Sequence, residues 1–334
     1  MVSHESVGHS PAMKTPTQPR SNTETVIEDA RHLATPPAVD LTDLTKSFGP
    51  VKAVDNISVT IPTGQVVALL GPNGAGKTTT LDMVLALAKP TSGQVLLFGS
   101  PPRSVVDQGR VTAVTQTGGI QNRMTVYEHV RLMADLFGYP KQRASAILEQ
   151  TGLESLSKRR LGVCSGGERQ KVKFAMSLVS DPDLLILDEP TSGMDVTARR
   201  EFWSLVHQQA EQGRTIIFAT HYLEEADQFS DRVIILVHGR VVADGSTEQI
   251  RQMVSGVTVS CRFDSAEAAT TAADAIRGLA DTVTVQGTQL TIATHRSDDV
   301  IATMIRGRSN PHDLRVKDQG IEEVFISLTE SRRS

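Results

Sequence analysis

Short apolar runs alternate with longer amphipathic stretches through the middle of the chain. Runs such as VVALL, VIILV and TIIFAT have the length of strands, whereas stretches such as TVYEHVRLMADLFG place apolar residues three and four positions apart, as a helix requires. DLLILDE is almost wholly apolar up to its carboxylates, which is typical of a central parallel strand covered on both faces. From Leu41 onward the pattern therefore predicts an α/β core.

The individual elements follow from the same pattern. We predict strands at AVDNISVTI, GQVVALL, GQVLLFG, DLLILDE and TIIFATH, and a hairpin in RVIILVHGRVVADG. We predict helices at GKTTTLDMVLALA, TVYEHVRLMADLFG, RASAILEQTG, residues 196–212 and LEEADQ. The first helix is expected to end near Pro90, because proline disfavours helix at the preceding residue. The second begins with Thr125 and Glu128 at the spacing of a capping box.

Composition divides the chain into three parts. Residues 1–39 are rich in Ser, Thr and Pro, and we predict a disordered extension because such a segment buries too little apolar surface to offset its ordering entropy. Residues 40–253 hold the α/β core. Residues 254–330 are predicted to form a small α+β domain, with a regulatory or a dimerising role, from the strands VTVSCRF, DTVTVQG and QLTIATH and the helices SAEAATTAADAIRGL, SDDVIATMIRG and GIEEVFISLTE.

Net charge, cysteine count and the length of the apolar runs argue against several classes of protein. A net charge of −4, with 39% hydrophobic and 22% charged residues, is ordinary for a globular protein, so we expect no nucleic-acid partner. Two cysteines, Cys164 and Cys261, imply neither a disulfide framework nor a zinc site. No apolar run approaches the ~18 residues of a membrane span, and the N-terminus lacks the apolar segment of a secretory signal. We therefore expect any membrane role to depend on a partner.

A glycine-rich loop with a lysine is the most specific motif. GPNGAGKTT fits G-x-x-x-x-G-K-[ST], follows a predicted strand and opens a predicted helix. Glycines let backbone N–H groups surround phosphate oxygens, and the helix dipole adds positive potential. Lys77 is expected to reach the β- and γ-phosphates and Thr78 to bind Mg²⁺; a glycine turn with a surface lysine is the alternative. The predicted ATP-binding residues are Gly71, Pro72, Asn73, Gly74, Ala75, Gly76, Lys77, Thr78 and Thr79.

Two adjacent carboxylates end an apolar strand in LLILDEP. Hard oxygen ligands suit Mg²⁺, so Asp188 is predicted to bind the metal. Glu189 lies just past the strand, where an open sheet places its ligand crevice, and is predicted to orient and activate the attacking water. The alternative is an acid pair that caps a helix.

Two further polar residues are candidates for the same site. His221, in FATHYLEE, also ends a predicted strand, and we favour a γ-phosphate contact over a purely structural role. Gln116, in VTAVTQTGG, offers a neutral side chain that is able to coordinate metal or position water.

The motifs together resemble the nucleotide-binding subunit of an ATP-binding cassette (ABC) transporter. The phosphate loop, TQTGG, CSGGE, LLILDEPTSGMD and FATH occur in the family's order over residues 41–245. The resemblance implies a P-loop NTPase domain, with a mixed sheet core, an antiparallel β part and a helical subdomain at about 117–165. It implies ATP and Mg²⁺ as cofactors, with Mg²⁺ bound by Thr78, Gln116 and Asp188. It also implies adenine stacking on Phe48, catalysis by Glu189, His221, Gln116 and Lys77, and ATP contacts in trans from Ser165, Gly166, Gly167 and Asp195.

The signature segment departs from the family pattern at two positions. The family commonly has Leu-Ser-Gly-Gly-Gln, whereas this chain has Cys164 first and Glu168 last. We expect Cys164 to be a small apolar packing residue, with a redox role as the alternative. We expect Glu168 to face outward or to pair with a base such as Arg169.

The segment THYLEEADQFSDRVIILVHGRVVADGSTEQI, the small α+β tail and GIEEVFISLTE resemble exporter ATPases of the daunorubicin and multidrug-resistance type. That resemblance implies an ATPase at the cytoplasmic face of the membrane that powers export through a separate permease. It implies a head-to-tail dimer with a second copy or a homologous ATPase. An importer subunit is the first alternative. A soluble ABC ATPase acting on ribosomes or DNA is the second, disfavoured because the chain has one cassette and no long coiled-coil insertion.

Overall fold

The computed structural model describes residues 36–116, 118–253, 256–307, 310–318 and 325. The disordered extension predicted over residues 1–39 is wrong at its end, because Ala38 is buried and Val39 already begins a strand. The rest of that prediction concerns residues 1–35, and the predicted helix GIEEVFISLTE falls on residues 320–330. Apart from Phe325, these segments lie outside the described residues. Phe325 packs, partly buried, against the main apolar cluster of the chain.

A six-stranded sheet forms the centre of the fold. Its order is β5 (Val111–Val114), β6 (Leu184–Asp188), β7 (Thr215–Thr220), β3 (Val66–Leu70), β8 (Arg232–Val237) and β9 (Arg240–Ser246). All neighbours are parallel except β8 and β9, which form the predicted hairpin. Strands β3, β6 and β7 are buried along their whole length, as their unbroken apolar sequences predict.

A three-stranded antiparallel sheet covers one face of the central sheet. Its order is β2 (Val51–Ile61), β1 (Val39–Phe48) and β4 (Ser92–Leu97). Its inner side chains share an apolar cluster with the central sheet and with helix α1 (Lys77–Val84), and helix α2 (Pro102–Asp107) contributes Val105. This sheet is the antiparallel part of the predicted mixed core, and β1 begins at Val39.

Helices cover the opposite face of the central sheet. They are α3 (Val126–Leu136), α4 (Lys141–Gln150), α5 (Gly166–Ser177), α6 (Val196–Glu211), α7 (Leu223–Phe229) and α8 (Thr247–Gln252). The predicted capping box of Thr125 and Glu128 is present at the start of α3. Trp203 of α6 anchors the layer, because its ring lies 4.7 Å from Phe218 of β7 and stacks on Phe229 of α7.

The last third of the chain forms a separate four-stranded antiparallel sheet. Its order is β11 (Thr282–Gln286), β12 (Gln289–Thr294), β10 (Val257–Arg262) and β13 (His312–Asp318), with α9 (Ala266–Ile276) and α10 (Ser297–Arg306) against one face. The chain order βαββαβ is a split βαβ arrangement with an apolar cluster of its own. The domain boundary near residue 254 stays a prediction.

Most predicted elements are confirmed, and the main differences lie at element ends. Helix α1 ends at Val84 rather than near Pro90, and Ala86 then adopts a positive φ of 57° that turns the chain. The strands β1, β5 and β13 and the helices α2 and α8 were not among the predicted elements. Within the described part of the chain, no helix is both long and apolar enough to cross a membrane.

Candidate functional site

A cleft of about 360 Å³ opens at the carboxyl ends of the central strands. Parallel pairing aligns Leu70 with Thr220 and Asp188 with Ala219, so the segments that follow β3, β6 and β7 meet at one edge. The cleft is lined by Phe48, Ala53, Asn73, Gly74, Ala75, Gly76, Lys77, Thr78, Thr79, Gln116, Glu189, Ser192 and His221. Most of the residues predicted to bind ATP within one chain are thus brought together, although the predicted Gly71, Pro72 and Asp188 are not among the lining residues.

The phosphate loop joins β3 to α1 in a backbone path that two glycines permit. Gly76 has φ +98°, and a Cβ there would lie 2.3 Å from the Ala53 carbonyl oxygen. A Cβ on Gly71 would lie 2.4 Å from the Leu236 carbonyl oxygen. Ala53 and Ser192 line the cleft without being among the predicted site residues. Alanine carries no chemical signal, and β2 reaches the loop only through folding.

Lys77 is folded onto the loop that precedes it. Its Nζ donates hydrogen bonds to the carbonyl oxygens of Gly71, at 2.6 Å, and Pro72, at 3.3 Å. Glu189 Oε1 lies 3.9 Å from the same nitrogen. Burial lowers the pKa of Lys77, and the carboxylates of Glu189 and Asp188 oppose that shift. The ammonium therefore lies in a poorly hydrated position beside the cleft, where an anionic ligand would stabilise it.

Asp188 and Thr78 form a pair at the base of the loop. Thr78 Oγ1 donates a hydrogen bond of 3.0 Å to Asp188 Oδ2, while Asp188 Oδ1 is buried without a hydrogen-bond partner among the described residues. Burial raises the pKa of Asp188, and the Thr78 hydrogen bond partly offsets this. A hydroxyl beside an unpaired buried carboxylate oxygen fits a hard divalent cation.

The described residues contain no group of three or more His, Cys, Asp or Glu side chains that could hold a metal. A cation at Asp188 would therefore take most of its ligands from water and from a bound phosphate. Mg²⁺ is commonly held in this way, through one or two protein oxygens together with substrate phosphates.

Glu189 and His221 are in contact with each other in the lining of the cleft. Glu189 Oε2 lies 2.8 Å from His221 Nδ1, which is ion-pair distance, although the contact does not have hydrogen-bond geometry. Glu189 has a positive φ of 49°, an uncommon conformation for a residue with a side chain. Its backbone N–H is anchored to the Ala219 carbonyl oxygen at 2.9 Å. The backbone thus directs this carboxylate toward the cleft rather than along the sheet.

Phe48 and Gln116 also line the cleft. Phe48, at the end of β1, is 56% exposed, and Lys46 Nζ lies 5.0 Å from its ring centroid. An exposed aromatic ring at a cleft offers a stacking surface for a planar ligand. Gln116 follows β5, and its carbonyl oxygen accepts a hydrogen bond of 3.3 Å from Lys173 of α5.

The predicted trans residues lie outside this cleft and beside one another. Ser165 caps α5, and Asp195 caps α6 by accepting a hydrogen bond of 2.8 Å from the Ala198 N–H. A Cβ on Gly167 would lie 2.9 Å from Ala198 Cβ, and one on Gly166 would lie 3.6 Å from the Gly193 carbonyl oxygen. The two helix starts therefore form one surface, which we call the signature surface (residues 165–167 and 193–195).

The expectation that Glu168 pairs with a base is confirmed, but the base is Arg159 rather than the suggested Arg169. Glu168 accepts a hydrogen bond of 2.8 Å from the Ser165 N–H and forms an ion pair of 2.8 Å with Arg159. The capping box turns Glu168 back over its own helix start, while Arg169 donates to the carbonyl oxygens of the 161–162 turn. Cys164 is buried in the main apolar cluster, as expected, and burial raises the pKa of its thiol.

The fold and the cleft define a phosphate-loop nucleotide-binding protein. The ABC transporter family profile matches residues 54–192. The chain is 31% identical to the daunorubicin/doxorubicin resistance ATP-binding protein DrrA of Streptomyces peucetius, over 87% of this chain and 92% of that protein. It is 34% identical to the Nod factor export ATP-binding protein I of Rhizobium sp. (strain N33), over 87% and 97%. The chain belongs to the ABC transporter family and is an ATPase subunit of that family.

Solved ATP-binding cassettes of ABC transporters share the fold. One is a dimeric cassette in a post-hydrolysis state, bound to ADP and Pi, with 26% identity and a TM-score of 0.56 over 62% of this chain and 98% of that one. The predicted P-loop fold class is thereby confirmed.

Proposed function

We propose that the chain powers export across the cell membrane through a separate permease at the cytoplasmic face. The observation that carries this proposal is the extent of the similarity to two proteins whose names denote drug resistance and Nod factor export. It covers 92% and 97% of those relatives, so it includes their C-terminal parts as well as the nucleotide-binding core.

Co-purification and vesicle transport test the proposal. Tagged full-length chain is expected to retain an integral membrane subunit when purified from detergent-solubilised membranes. Inverted vesicles that contain the pair are expected to accumulate an amphiphilic fluorescent drug in the presence of ATP. Dependence on an external solute-binding protein would establish import instead, and ribosome or DNA binding without a membrane subunit would establish a soluble role.

In the proposed ATP site, some cleft residues bind the nucleotide and others take part in its hydrolysis. The phosphate loop surrounds the phosphates, Phe48 stacks on the adenine, and Lys77 exchanges carbonyl contacts for phosphate oxygens. Thr78, Asp188 and Gln116 are the residues that would hold Mg²⁺. When bound, Mg²⁺ neutralises charge on the β- and γ-phosphates. The donor set supports this role, since Asp188 Oδ1 is buried without a partner among the described residues.

Glu189 is proposed to orient the attacking water and to accept its proton. Its carboxylate lies between Lys77 Nζ at 3.9 Å and His221 Nδ1 at 2.8 Å. The ammonium of Lys77 favours the ionised carboxylate, and His221 is proposed to contact the γ-phosphate. Preorganised donors of this kind are worth about 3–4 kcal/mol each in barrier height.

Replacing Glu189 by Gln tests the assignment of the base. Glu189→Gln keeps the shape of the side chain but removes its ability to accept a proton. We expect ATP hydrolysis to be lost, ATP binding to persist and an ATP-bound dimer to accumulate in size-exclusion chromatography. Hydrolysis at the normal rate would exclude Glu189 as the base, and Glu201→Gln on the exposed face of α6 serves as the control.

A second copy is proposed to complete the ATP site. The signature surface is not part of the cleft of its own chain, although the family pattern places it at ATP. Head-to-tail pairing brings the signature surface of one copy over the cleft of the other, and symmetry then makes both sites equivalent.

The permease is proposed to dock in a groove beside Gln116. The groove has a volume of about 320 Å³ and lies between the end of β5, α3 and α5, where Met133 and Met176 provide apolar lining and Lys173 a charge. Leu132 and Leu136 of α3 are exposed nearby in the chain. A segment of the permease that enters this groove would contact both the Gln116 segment and the helix that carries the signature surface.

A further inference from the structure

A buried carboxylate outside the cleft connects two of the segments that line it. Glu225, at the start of α7, is 1% exposed. Its Oε2 accepts a hydrogen bond of 2.9 Å from Thr220 Oγ1, and its Oε1 accepts one from Thr191 Oγ1. Thr220 immediately precedes His221, and Thr191 follows Glu189 by two positions. A single side chain therefore holds both segments that carry the proposed catalytic groups.

The contact with Thr220 defines the turn that presents His221. Thr220 Oγ1 also accepts a hydrogen bond of 3.0 Å from the Tyr222 N–H, on the far side of His221. A hydroxyl has one proton to donate, and Thr220 donates it in the hydrogen bond to Glu225. The lone pairs of the Thr220 oxygen therefore accept the hydrogen bond from the Tyr222 N–H. The backbone on both sides of His221 is thereby tied to one buried carboxylate.

The segment after Glu189 is held from two sides. Thr191 binds Glu225 of α7, while the Pro190 carbonyl oxygen accepts a hydrogen bond of 2.9 Å from Gln170 Nε2 of α5. The positive φ of 49° at Glu189 is a conformation that persists only where surrounding contacts enforce it. These two contacts lie directly after the strained residue and supply that constraint.

Arg199 balances the buried charge and extends the connection to α6. Its Nε lies 3.5 Å from Glu225 Oε1, and its guanidinium carbon lies 4.9 Å from the ring centroid of Tyr222. The ring of Tyr222 in turn lies 4.1 Å from that of His221. Arg199 is in the first turns of the helix that Asp195 caps, and its N–H donates to the Asp195 carbonyl oxygen at 3.0 Å.

We propose that Glu225 is a positioning residue for ATP hydrolysis. Through the hydroxyls of Thr191 and Thr220 it holds Glu189 and His221 in their facing arrangement. This inference rests on the proposed roles of those two residues. Glu225 does not line the cleft, so it acts through its neighbours rather than on the nucleotide.

Two threonines of β7 provide a matched pair for the test. Thr220→Val removes the hydroxyl that Glu225 binds, at the cleft end of the strand. Thr215→Val removes an equally buried hydroxyl at the other end, where it accepts a hydrogen bond of 2.9 Å from the Gly64 N–H. Both changes replace a buried hydroxyl by a methyl group of similar shape, so they differ mainly in their distance from the cleft.

The measurements are kcat and KM for ATP hydrolysis, ATP binding and thermal unfolding of the full-length chain. We expect Glu225→Ala and Thr220→Val to lower kcat by about tenfold to a hundredfold, as small misplacements of catalytic groups do. ATP affinity should stay close to that of the wild type, because Glu225 contacts no residue of the phosphate loop. Glu225→Gln keeps polar atoms that can pair with both hydroxyls and should restore part of kcat.

The control separates positioning from stability. Thr215→Val is expected to lower the unfolding temperature while leaving kcat unchanged. If Thr220→Val and Glu225→Gln lower kcat no more than Thr215→Val does, Glu225 is only structural and the inference is overturned. This comparison holds even if Glu225→Ala does not fold. Normal hydrolysis in Glu189→Gln and His221→Ala would instead overturn the proposed site itself, which is a distinguishable failure.

Discussion

The charged residues of the cleft are held in an environment that disfavours their charges. Burial lowers the pKa of Lys77 and raises that of Asp188, and one oxygen of Asp188 lacks a hydrogen-bond partner within the described structure. Buried charges are costly unless they are paired and fully hydrogen-bonded. The site therefore loses folding stability in its nucleotide-free form, and an anionic ligand with a divalent cation would relieve both costs.

Asp188→Asn tests this cost at the scale of one residue. Because burial raises the folded-state pKa of Asp188 above its ordinary value of 3.8, its contribution to stability is fully present below that value and is lost as the pH rises through the raised pKa. The amide introduced by Asp188→Asn carries no charge, so the variant does not lose this stability as the pH rises. At neutral pH we expect the nucleotide-free variant to be more stable than the wild type in urea unfolding, with ATP hydrolysis lost.

The stability difference should shrink as the solution is acidified, since Asp188 then becomes neutral in the wild type too. Asp183→Asn, which changes an exposed carboxylate in the same part of the chain, should show no such gain. A nucleotide-free Asp188→Asn protein that is less stable than the wild type at neutral pH would contradict the electrostatic argument.

At the scale of elements, helices α1 and α5 both begin in glycine-rich sequence, but their first backbone N–H groups are satisfied in different ways. The start of α1 has Gly76 as its N-cap and no side-chain cap, so its first N–H groups are left for a ligand. The start of α5 has a complete capping box, in which Ser165 and Glu168 satisfy each other's backbone N–H groups. The glycine-rich start of α5 therefore differs from the phosphate loop at the start of α1. It is a preformed surface whose geometry is set within its own helix.

Glu168 substitutions separate the two bonds that this side chain makes. Glu168→Gln can retain the capping hydrogen bond while losing the ion pair with Arg159, which is half-exposed and contributes little. We expect stability and ATP hydrolysis near wild-type values. Glu168→Ala loses the cap as well and should reduce stability by about 1 kcal/mol in urea unfolding.

The capping box at the start of α3 offers the matched control. Glu128 there accepts the Thr125 N–H as Glu168 accepts that of Ser165. Glu128→Ala should reduce stability to a similar degree without altering the signature surface. A loss of hydrolysis in Glu168→Gln without a loss of stability would show that the charge itself acts at the ATP site.

For the whole molecule, the proposed head-to-tail dimer requires that one chain hold two halves of different ATP sites. The cleft carries the phosphate loop and Glu189, whereas the signature surface lies elsewhere on the same chain. Movement that joins these halves in a dimer would be passed to the groove beside Gln116, because Lys173 of α5 donates to the backbone there. The proposed coupling to a permease follows from that connection.

Mixing two inactive variants tests the shared site. Ser165→Arg blocks the signature surface but leaves the cleft intact, and Lys77→Ala disables the cleft but leaves the signature surface intact. Each variant alone should hydrolyse no ATP, while Ser165→Arg should still bind it as a monomer. A mixed dimer contains one site with two intact halves, so the mixture should regain measurable hydrolysis. Loss of ATP binding in monomeric Ser165→Arg, or no recovery in the mixture, would exclude a site shared between chains.

Much of the fold and of the cleft could be predicted because the signals are local. Unbroken apolar runs predicted β3, β6 and β7, and the motif GPNGAGKTT predicted the loop between β3 and α1. Carboxyl ends of parallel strands meet at one edge, so Glu189 and His221 had to converge with the loop. In the same way, the spacing of Thr125 and Glu128 was sufficient for the capping box, since that contact spans a single turn.

Contacts between distant segments required the tertiary structure. No local sequence pattern indicates that Glu168 pairs with Arg159 rather than Arg169. The same is true of the short distance between Ala53 and Gly76, and of the position of Glu225 between Thr191 and Thr220. The sequence alone determined which side chains are present in which local elements, because hydrophobic periodicity and motif spacing act over a few residues. Their partners, burial and charge balance depended on how sheets and helices pack, since those contacts join residues far apart in the chain.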